Sequence, residues 1–405
     1  MKLSEFGEKF LFLAHRIDKH NKGYVDFYIG PENIREIVNN EAVTSPNILL
    51  TDCNALQNNL FKQGYDKKRE RYLEKLLRAM ETSIEILNDT EISIKEQFLR
   101  LYDINLQPVK ESELDSLKEE YNAAYGGLGS LEKRMSDIRV RRTVPEDKVF
   151  ELFKKALNIT RDRTKELFID LLPKKERIAL ELVNNNEEAK WSYYNWYLGN
   201  FCSKIEVNPN YNIYWSSLLS AAAHEGYPGH HMEFAVKEQH LYRKLSQFEH
   251  SLLILHSPKI IISEGIGNLA ISVIFSDRDA AEISLSEFCP ILDTPKTDTI
   301  DELALQNNVR RKLSLFWYNL AYRALIEEYN TEELIRYGKN FEVFSEDTIQ
   351  NNLKRMSDPV YSKNAFLYDL GSNLIRNRYG IIPSVKNFQN LLENAILPSD
   401  LKRYS

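Results

Sequence analysis

The sequence of 405 residues predicts a mostly α-helical fold with a small β element. Three observations favour this class: apolar residues recur at three- and four-residue steps in several segments, strand-like segments are few, and glycine and proline are scarce. Fifteen glycines and thirteen prolines are few for this length, which suits long helices joined by few loops.

The N-terminal part is predicted to be a series of charged helices. One helix face near the N-terminus carries Leu3, Phe6, Phe10, Leu13 and Ile17. The segment Lys67 to Leu101 is charged throughout and carries an apolar stripe. Glu111 to Arg139 repeats this pattern and is broken at Gly126–Gly127.

A domain boundary is expected near residue 140. Thr143-Val144-Pro145-Glu146 has the pattern of a capping box with proline in the first turn of the next helix. This predicts a charged helical part over residues 1–140 and a more apolar part over residues 141–405, both of which can line one cleft.

The best strand candidate is Ser203 to Val207, which is followed by the turn residues Asn208-Pro209-Asn210. Two interpretations of Lys204 to Val207 remain open. It is either an edge strand that pairs with an extended peptide or an ordinary strand inside a sheet.

Composition excludes several classes of protein. Lys plus Arg is 53 and Asp plus Glu is 59, so the net charge is -6, and no basic run suggests a nucleic-acid partner. Charges interrupt the apolar residues near the N-terminus, unlike a signal peptide, and no segment approaches the ~20 apolar residues of a membrane span. The three cysteines lie far apart, which favours a reducing compartment. We therefore expect a cytoplasmic protein without nucleic-acid or membrane partners.

Histidine is concentrated in one region. Six of the eight histidines lie between His224 and His256, around the segment His-Glu-Gly-Tyr-Pro-Gly-His-His that begins at His224. In an HExxH helix, two histidines one turn apart hold zinc while the glutamate activates water. This segment differs from HExxH. On a straight helix His230 would lie on the wrong face, and His231 would lie ~10.5 Å further along the axis than His224.

A metal site therefore requires an interrupted helix. Pro228 removes an N–H and clashes with the carbonyl of His224, and Gly229 permits the compensating backbone conformation. Such an interruption favours His230 as the second ligand, with His231 as the alternative. The competing interpretation is a helix break with incidental histidines.

Glu264 is the candidate third ligand. It lies in an apolar segment, where burial of an unpaired carboxylate is costly. Gly265 and Gly267 cost about 1 kcal/mol each inside a helix unless something approaches closely. Asn268 is one turn beyond Glu264 and could fix the tautomer of a ligand histidine. The alternative is a helix–helix contact at the glycines, with Glu264 in an ion pair.

The segments from His224 to His231 and from Ser263 to Gly265 resemble the HExxPGHH and EG signatures of a bacterial family called domain of unknown function 885. That family is similar to the gluzincin zinc metallopeptidases. The segment from Glu264 to Asn268 also resembles the EAIGD pattern of angiotensin-converting enzyme, with asparagine in place of aspartate. The resemblance covers roughly residues 191–380 and, more loosely, the whole chain.

This resemblance implies a gluzincin-like helical fold with a deep active-site cleft. It implies that His224, His230 and Glu264 bind Zn²⁺ and that Glu225 is the general base. Tyr368 matches a family region that suggests a donor to the oxyanion, and Arg376 is a candidate for binding a substrate carboxylate.

The function expected from the sequence is that of a zinc-dependent metallopeptidase that hydrolyses short peptides. One alternative is a zinc hydrolase that acts on another amide or ester with the same residues. The other is a helical binding protein with a structural metal; a structural site needs no general base, so Glu225 counts against this alternative.

Overall fold

The computed structural model describes residues 3–183, 191–292, 297–356 and 364–402, and this part of the chain is mostly helical, as predicted. The helices are α1 Glu5–Asp18, α2 Glu32–Asn40, α3 Pro46–Leu60, α4 Lys67–Leu87, α5 Ile94–Tyr102, α6 Glu111–Ala124, α7 Leu131–Arg142, α8 Glu146–Leu167, α9 Leu218–Glu225, α10 His230–Lys237, α11 Pro258–Ile274, α12 Asp277–Glu287, α13 Cys289–Leu292, α14 Ile300–Arg310, α15 Ser314–Leu325, α16 Thr331–Asn340, α17 Glu346–Met356, α18 Asn364–Tyr379 and α19 Val385–Glu393.

The strands form two small sheets. They are β1 Val25–Tyr28, β2 Arg177–Leu182, β3 Tyr193–Gly199, β4 Cys202–Val207 and β5 Leu252–Ile254. β1 and β5 pair antiparallel, while β4 lies between β2, to which it is parallel, and β3, to which it is antiparallel. The strand predicted at Ser203 to Val207 is confirmed. Its interpretation as an edge strand is wrong, because both sides of β4 are already paired.

The predicted helices near the N-terminus are confirmed, with one correction to a cap. The charged segment from Lys67 to Leu101 forms the two helices α4 and α5. α8 is present but starts at Glu146, two residues later than a cap at Thr143 predicts, and its N-cap Pro145 makes no side-chain capping bond. Thr143 does not complete the predicted capping box, since its hydroxyl donates to the Arg139 carbonyl instead, at 3.0 Å.

Three apolar clusters form the core of the described part. One is built mainly from α1, α3 and α4 but also contains Phe248 and Leu397. A second joins α5 to α7 with α15 to α18, for example Phe98 with Phe366. The third contains α8, α9 and most of α11. Two of the clusters therefore include residues from both sides of position 140, and the division of the chain at that position stays a prediction.

Helix α11 is apolar and buried along most of its length, and it crosses α18 at two glycines. A Cβ on Gly371 would lie 1.8 Å from the Ile261 carbonyl oxygen, and one on Gly265 would lie 2.6 Å from the Gly371 carbonyl carbon. The close crossing holds α11, and Glu264 with it, in a fixed position against α9. Among the described helices no single one has the length and apolar composition of a membrane span, although α11 and the following segment to Leu292 meet those limits as a pair bent by 79°.

Candidate metal centre

The loop between α9 and α10 breaks the helix at the predicted place. α9 ends at Glu225 and α10 begins at His230, so the four residues between them lie outside both helices. The loop folds back on α9, because the Gly229 amide donates to the Ala223 carbonyl at 2.9 Å. A Cβ at position 229 would lie 2.0 Å from the His224 carbonyl oxygen, so only glycine fits there.

This loop brings together the three side chains that the sequence predicts as ligands. His224 Nε2 lies 3.7 Å from one carboxylate oxygen of Glu264, and His230 Nε2 lies 3.6 Å from the other. One ligand atom from each residue can be chosen so that all lie within 4.8 Å of one another. The geometric condition that a straight helix could not meet is therefore met by the interrupted one.

The three residues fit a divalent metal ion. Tetrahedral zinc with bonds of about 2.0–2.1 Å separates its ligand atoms by about 3.3 Å, close to the distances found here. Glu264 Oε2 is buried and has no hydrogen-bond partner among the described residues, although a buried carboxylate oxygen normally has one. A cation bound between the two imidazoles and Glu264 Oε2 would give this oxygen the partner that it lacks. A set of two imidazoles and one carboxylate is a donor set that zinc accepts.

The His224 ring is held by α11. Its ring packs on the backbone of Gly267, where a Cβ would lie 2.7 Å from ring atom Cε1. Asn268 hydrogen-bonds to the same imidazole. The glycine thus provides the close approach that was expected of it, and Asn268 lies beside the same ring, while its orienting role stays a prediction.

The His230 ring is oriented by residues that sequence reasoning missed. Ser263 Oγ lies 3.2 Å from His230 Nδ1 and donates to the Glu233 carboxylate at 2.6 Å. Because the serine proton goes to Glu233, the serine oxygen accepts from His230 Nδ1–H, so Nε2 is the ring nitrogen that faces Glu264 and would bind a cation once it has lost its proton. Lys237 Nζ donates to Glu233 at 2.6 Å and balances its buried charge. The adjacency of Ser263 to Glu264 was the sequence signal available for this relay.

His231, the alternative second ligand, is not brought to the cluster. Its Nδ1 lies 2.8 Å from Ser203 Oγ and its Nε2 lies 3.1 Å from Glu176 Oε2, so both ring nitrogens have protein partners. One step along an α-helix turns a side chain by about 100°, which directs His231 toward β4 instead of α11. The structure therefore places His230, and not His231, beside His224 and Glu264, and metal binding by His230 stays a prediction.

Glu225, the predicted general base, is buried beside the ligands. Burial raises the pKa of its carboxyl to about 7, with His230 opposing this shift and Glu264 adding to it. The Glu225 carbonyl accepts a hydrogen bond of 2.5 Å from Asn195 on β3. A carboxylate whose pKa lies near neutrality is well placed to accept and return a proton.

The imidazoles differ in basicity when no metal is bound. Burial and the neighbouring His230 lower the pKa of His224 to about 4. Burial opposes a charge on His230 as well, yet the Glu264 carboxylate raises its pKa to about 9. In the metal-free protein His230 therefore carries a proton that a bound cation would displace.

Tyr194 and Asp26 are also near the ligands, and the sequence analysis identified neither. The Tyr194 hydroxyl donates to the Asp26 carboxylate. Burial, the Asp26 charge and the Glu225 and Glu264 charges raise the pKa of Tyr194 above its ordinary value. The aromatic run Tyr193 to Tyr197 was the available signal, since it is typical of a strand.

The predicted oxyanion donor Tyr368 and the predicted substrate-binding residue Arg376 both belong to α18. The Tyr368 side chain lies outside the residues that the structure describes, so its role stays a prediction. Arg376 lines a pocket together with His224 and Asn268. Arg376 therefore lies close to the candidate ligands, and its role in binding a substrate carboxylate stays a prediction.

Comparisons with known proteins identify a likeness of fold. The sequence matches no family model, and no curated protein matches it. A solved structure from Colwellia psychrerythraea, provisionally described as a lipoprotein, superposes with a TM-score of 0.51 at 14% identity and covers 87% of this chain. A second, from Shewanella oneidensis and provisionally described as a lipoprotein of unknown function, gives 0.47 at 11% identity over 89% of this chain and 76% of its own.

The likeness concerns the fold alone. This chain spans 65% of the length of the Colwellia protein, so that protein has a substantial part with no counterpart here. An identity of 14% carries no information about the chemistry of either protein. The chemistry of this chain therefore depends on the residues of its own site.

Proposed function

We propose that this protein is a zinc-dependent metallopeptidase with a gluzincin-like active-site cleft. The observation that carries the proposal is the meeting of His224, His230 and Glu264, whose ligand atoms lie within 4.8 Å of one another, beside the buried carboxyl of Glu225. Three protein ligands leave a fourth position for water or substrate, as in catalytic zinc sites. The motif resemblance to domain of unknown function 885 and the gluzincins supports the same function.

The chemistry is divided between the ion and the chain. A bound Zn²⁺ would activate water and polarise the substrate carbonyl. Glu225 accepts a proton from the attacking water and returns it to the leaving amine. Asn195 holds the Glu225 backbone, and burial raises the pKa of the carboxyl in the metal-free protein, which favours a group that accepts a proton and then returns it.

A donor for the developing oxyanion completes the proposal. Tyr368 has this role on the family resemblance. Among the described side chains, the phenol of Tyr194 is within electrostatic reach of both Glu225 and Glu264, and it is a second candidate. Substitution of each tyrosine by phenylalanine would distinguish them, because removal of an oxyanion donor lowers kcat by about 10²–10³-fold.

An extended substrate is proposed to lie along β3. This strand is at an edge of its sheet, whereas β4 is central, and it contacts both helices of the broken motif. An edge strand offers backbone groups to an added peptide strand. β3 thereby takes the substrate-pairing role that the sequence analysis considered for Lys204 to Val207.

We propose that the protein is located in a reducing, cytoplasmic compartment, because its cysteines form no disulfide in the structure. Cys53, Cys202 and Cys289 are all free thiols in the structure. Structural disulfides are frequent in exported proteins and rare in the cytosol. Fractionation of cells that express the full natural protein would test this, and recovery in a membrane or exported fraction would contradict it.

The test of the metallopeptidase proposal is Glu225→Gln. This variant should retain one zinc per chain, measured by elemental analysis, and lose peptide hydrolysis by about 10²–10⁴-fold, the usual contribution of a general base. Glu151→Gln on the exposed surface of α8 is the matched control and should leave both measurements unchanged.

Turnover by a clean Glu225→Gln preparation would remove Glu225 from the mechanism. Absence of zinc from the wild-type protein, purified without chelators and then exposed to zinc, would contradict the metal site itself. If zinc binds and esters or non-peptide amides are hydrolysed in preference to peptides, the alternative of a zinc hydrolase with another substrate replaces the peptidase.

A further inference from the structure

A pocket rich in arginine opens beside the metal centre. Its volume is about 300 Å³, and its walls include Arg310 and Arg311 at the end of α14 and Arg376 on α18. His224 and Asn268 also line it, so the pocket is continuous with the site of the proposed chemistry. Three serines add hydroxyl groups, and none of the described lining residues is acidic. Such a lining is complementary to an anion.

The arginines of the pocket differ in whether an acidic side chain neutralises their positive charge. Arg311 forms an ion pair with Asp277, with 2.6 Å between guanidinium and carboxylate. No ion pair or side-chain hydrogen bond holds the Arg310 guanidinium within the described part of the chain. Burial lowers the pKa of Arg310, and the nearby charges of Arg142 and Arg311 lower it further, while the phenols of Tyr121 and Tyr125 act in the opposite direction. A partly buried cation among other cations is costly unless a ligand supplies the anion.

The position and size of the pocket restrict that anion. A group bound there lies next to the ligand His224, so the anion belongs to the part of the substrate closest to the reacting bond. A cavity of about 300 Å³ is at the lower limit for small-molecule sites and accommodates about one amino-acid residue. Arginine binds a carboxylate with two parallel N–H donors, which fixes its orientation as well as its charge.

We propose that this pocket binds the α-carboxylate of a peptide C-terminus, so that the enzyme releases single residues from the C-terminal end of short peptides. This assignment rests on the proposed metallopeptidase function. In the reaction, the oxygen of water bonds to the carbonyl carbon of the last peptide bond and the C–N bond breaks. The proton accepted by Glu225 passes to the released amine, so no further reactant is needed.

Binding to the Glu225→Gln variant, which holds substrate without turnover, tests the proposal directly. N-acetylated trialanine with a free carboxyl terminus, and the same peptide with a C-terminal amide, are titrated calorimetrically into the zinc-loaded variant. The free acid should bind at least about tenfold more tightly than the amide, as for a charge-assisted pair. Adding Arg310→Gln should abolish this difference, whereas adding Arg35→Gln on the exposed face of α2 should preserve it.

Two further arms identify the carboxylate. An amidated acetyl-Ala-Ala-Glu carries its charge on the side chain and should bind as weakly as the neutral amide; tight binding of this peptide would overturn the assignment to the chain terminus. Equal binding of acid and amide, or a preference that survives Arg310→Gln, would overturn the role of the pocket. Arg310→Lys keeps the charge without the paired donors and should give an intermediate preference.

The experiments distinguish an error in the proposed carboxylate pocket from an error in the proposed peptidase function. Hydrolysis that depends on Glu225 but ignores the C-terminal charge would refute the pocket and retain the peptidase. Binding of the free acid that depends on Arg310, without hydrolysis of any peptide, would retain the pocket and refute the peptidase. Thermal unfolding controls for folding: because Arg310 lacks a carboxylate partner in the described part, Arg310→Gln should keep a Tm equal to or above that of the parent.

Discussion

At the scale of single residues, the candidate centre depends on small side chains that let larger ones approach. Gly267 admits the His224 ring, and Ser263 connects His230 to Glu233. Neither residue is a ligand, yet each fixes the direction of one imidazole. The orientation of ligand histidines commonly accounts for 10–100-fold of metal affinity, so both positions are testable by zinc binding.

Gly267→Ala should weaken zinc binding by about 10–100-fold, because the added Cβ would lie 2.7 Å from the His224 ring and displace it. Affinity is measured by competition with a chromophoric chelator. Gly126→Ala is the matched control, since no atom lies within 4 Å of the Cβ it would add. Unchanged zinc affinity in Gly267→Ala would show that the ring position does not limit binding.

Ser263→Ala should also lower zinc affinity by about 10–100-fold. Without the serine oxygen, His230 Nδ1–H has no acceptor, and the tautomer of the ring is no longer fixed. Glu233 retains Lys237 as a partner, so the fold should persist. The same competition assay applies, with Ser286→Ala on the exposed face of α12 as the control. A parent-like affinity would exclude the serine relay as an orienting device.

At the scale of elements, the decisive feature is the break between α9 and α10. A continuous helix would place His224 and His230 on different faces, and the loop from Gly226 to Gly229 brings both imidazoles to the Glu264 carboxylate. The loop turns so tightly that its backbone contacts the carbonyl groups at the end of α9. The break is therefore a requirement of the site and not a defect of the helix.

Gly229→Ala should destabilise the protein by about 3 kcal/mol and reduce zinc binding at the same time, because its Cβ cannot be accommodated 2.0 Å from the His224 carbonyl oxygen. Urea unfolding measures the first effect and chelator competition the second. Gly126→Ala again provides a control at which neither should change. Stability and affinity equal to the parent would mean that the loop rearranges without cost.

At the scale of the whole molecule, Glu176 connects parts of the chain that are distant in sequence. Its carboxylate accepts hydrogen bonds from Arg161 on α8, from Tyr227 in the loop and from His231 on α10. Burial opposes ionisation, but His231, Tyr227 and Arg161 together lower the pKa of Glu176 to about 2. The network ties the interrupted helix to the neighbouring elements of the core.

The stability contributed by Glu176 should disappear in acid. Since the folded pKa is about 2 and the unfolded value is about 4.3, the contribution is present above pH 4.3 and is lost as the pH falls toward 2. The difference in unfolding free energy between the wild type and Glu176→Gln should therefore shrink by about 3 kcal/mol between pH 5 and pH 2. Urea titrations at several pH values measure it, with Glu151→Gln as an exposed control. A difference that does not vary with pH would contradict the lowered pKa.

The sequence by itself predicted the mostly helical class, several N-terminal helices, the strand at β4 and the three residues His224, His230 and Glu264 that the structure brings together. Apolar periodicity identifies α1, α4 and α8 because a helix face must bury its side chains regardless of what it packs against. The Pro228-Gly229 pair and the impossible geometry of a straight helix were enough to predict the interruption and to favour His230 over His231.

Only the tertiary structure decided what surrounds those residues. The sequence did not identify β3, and it left open that β4 is an edge strand. Strand order depends on pairing partners that the local sequence does not encode. Ser263, Glu233 and Glu176 acquire their roles from contacts across distant segments, and the arginine pocket exists only where α14 and α18 meet α9 and α11. A side chain's type limits the chemistry it can perform, but its partners, and hence its charge state and direction, are set by the packing of the whole chain.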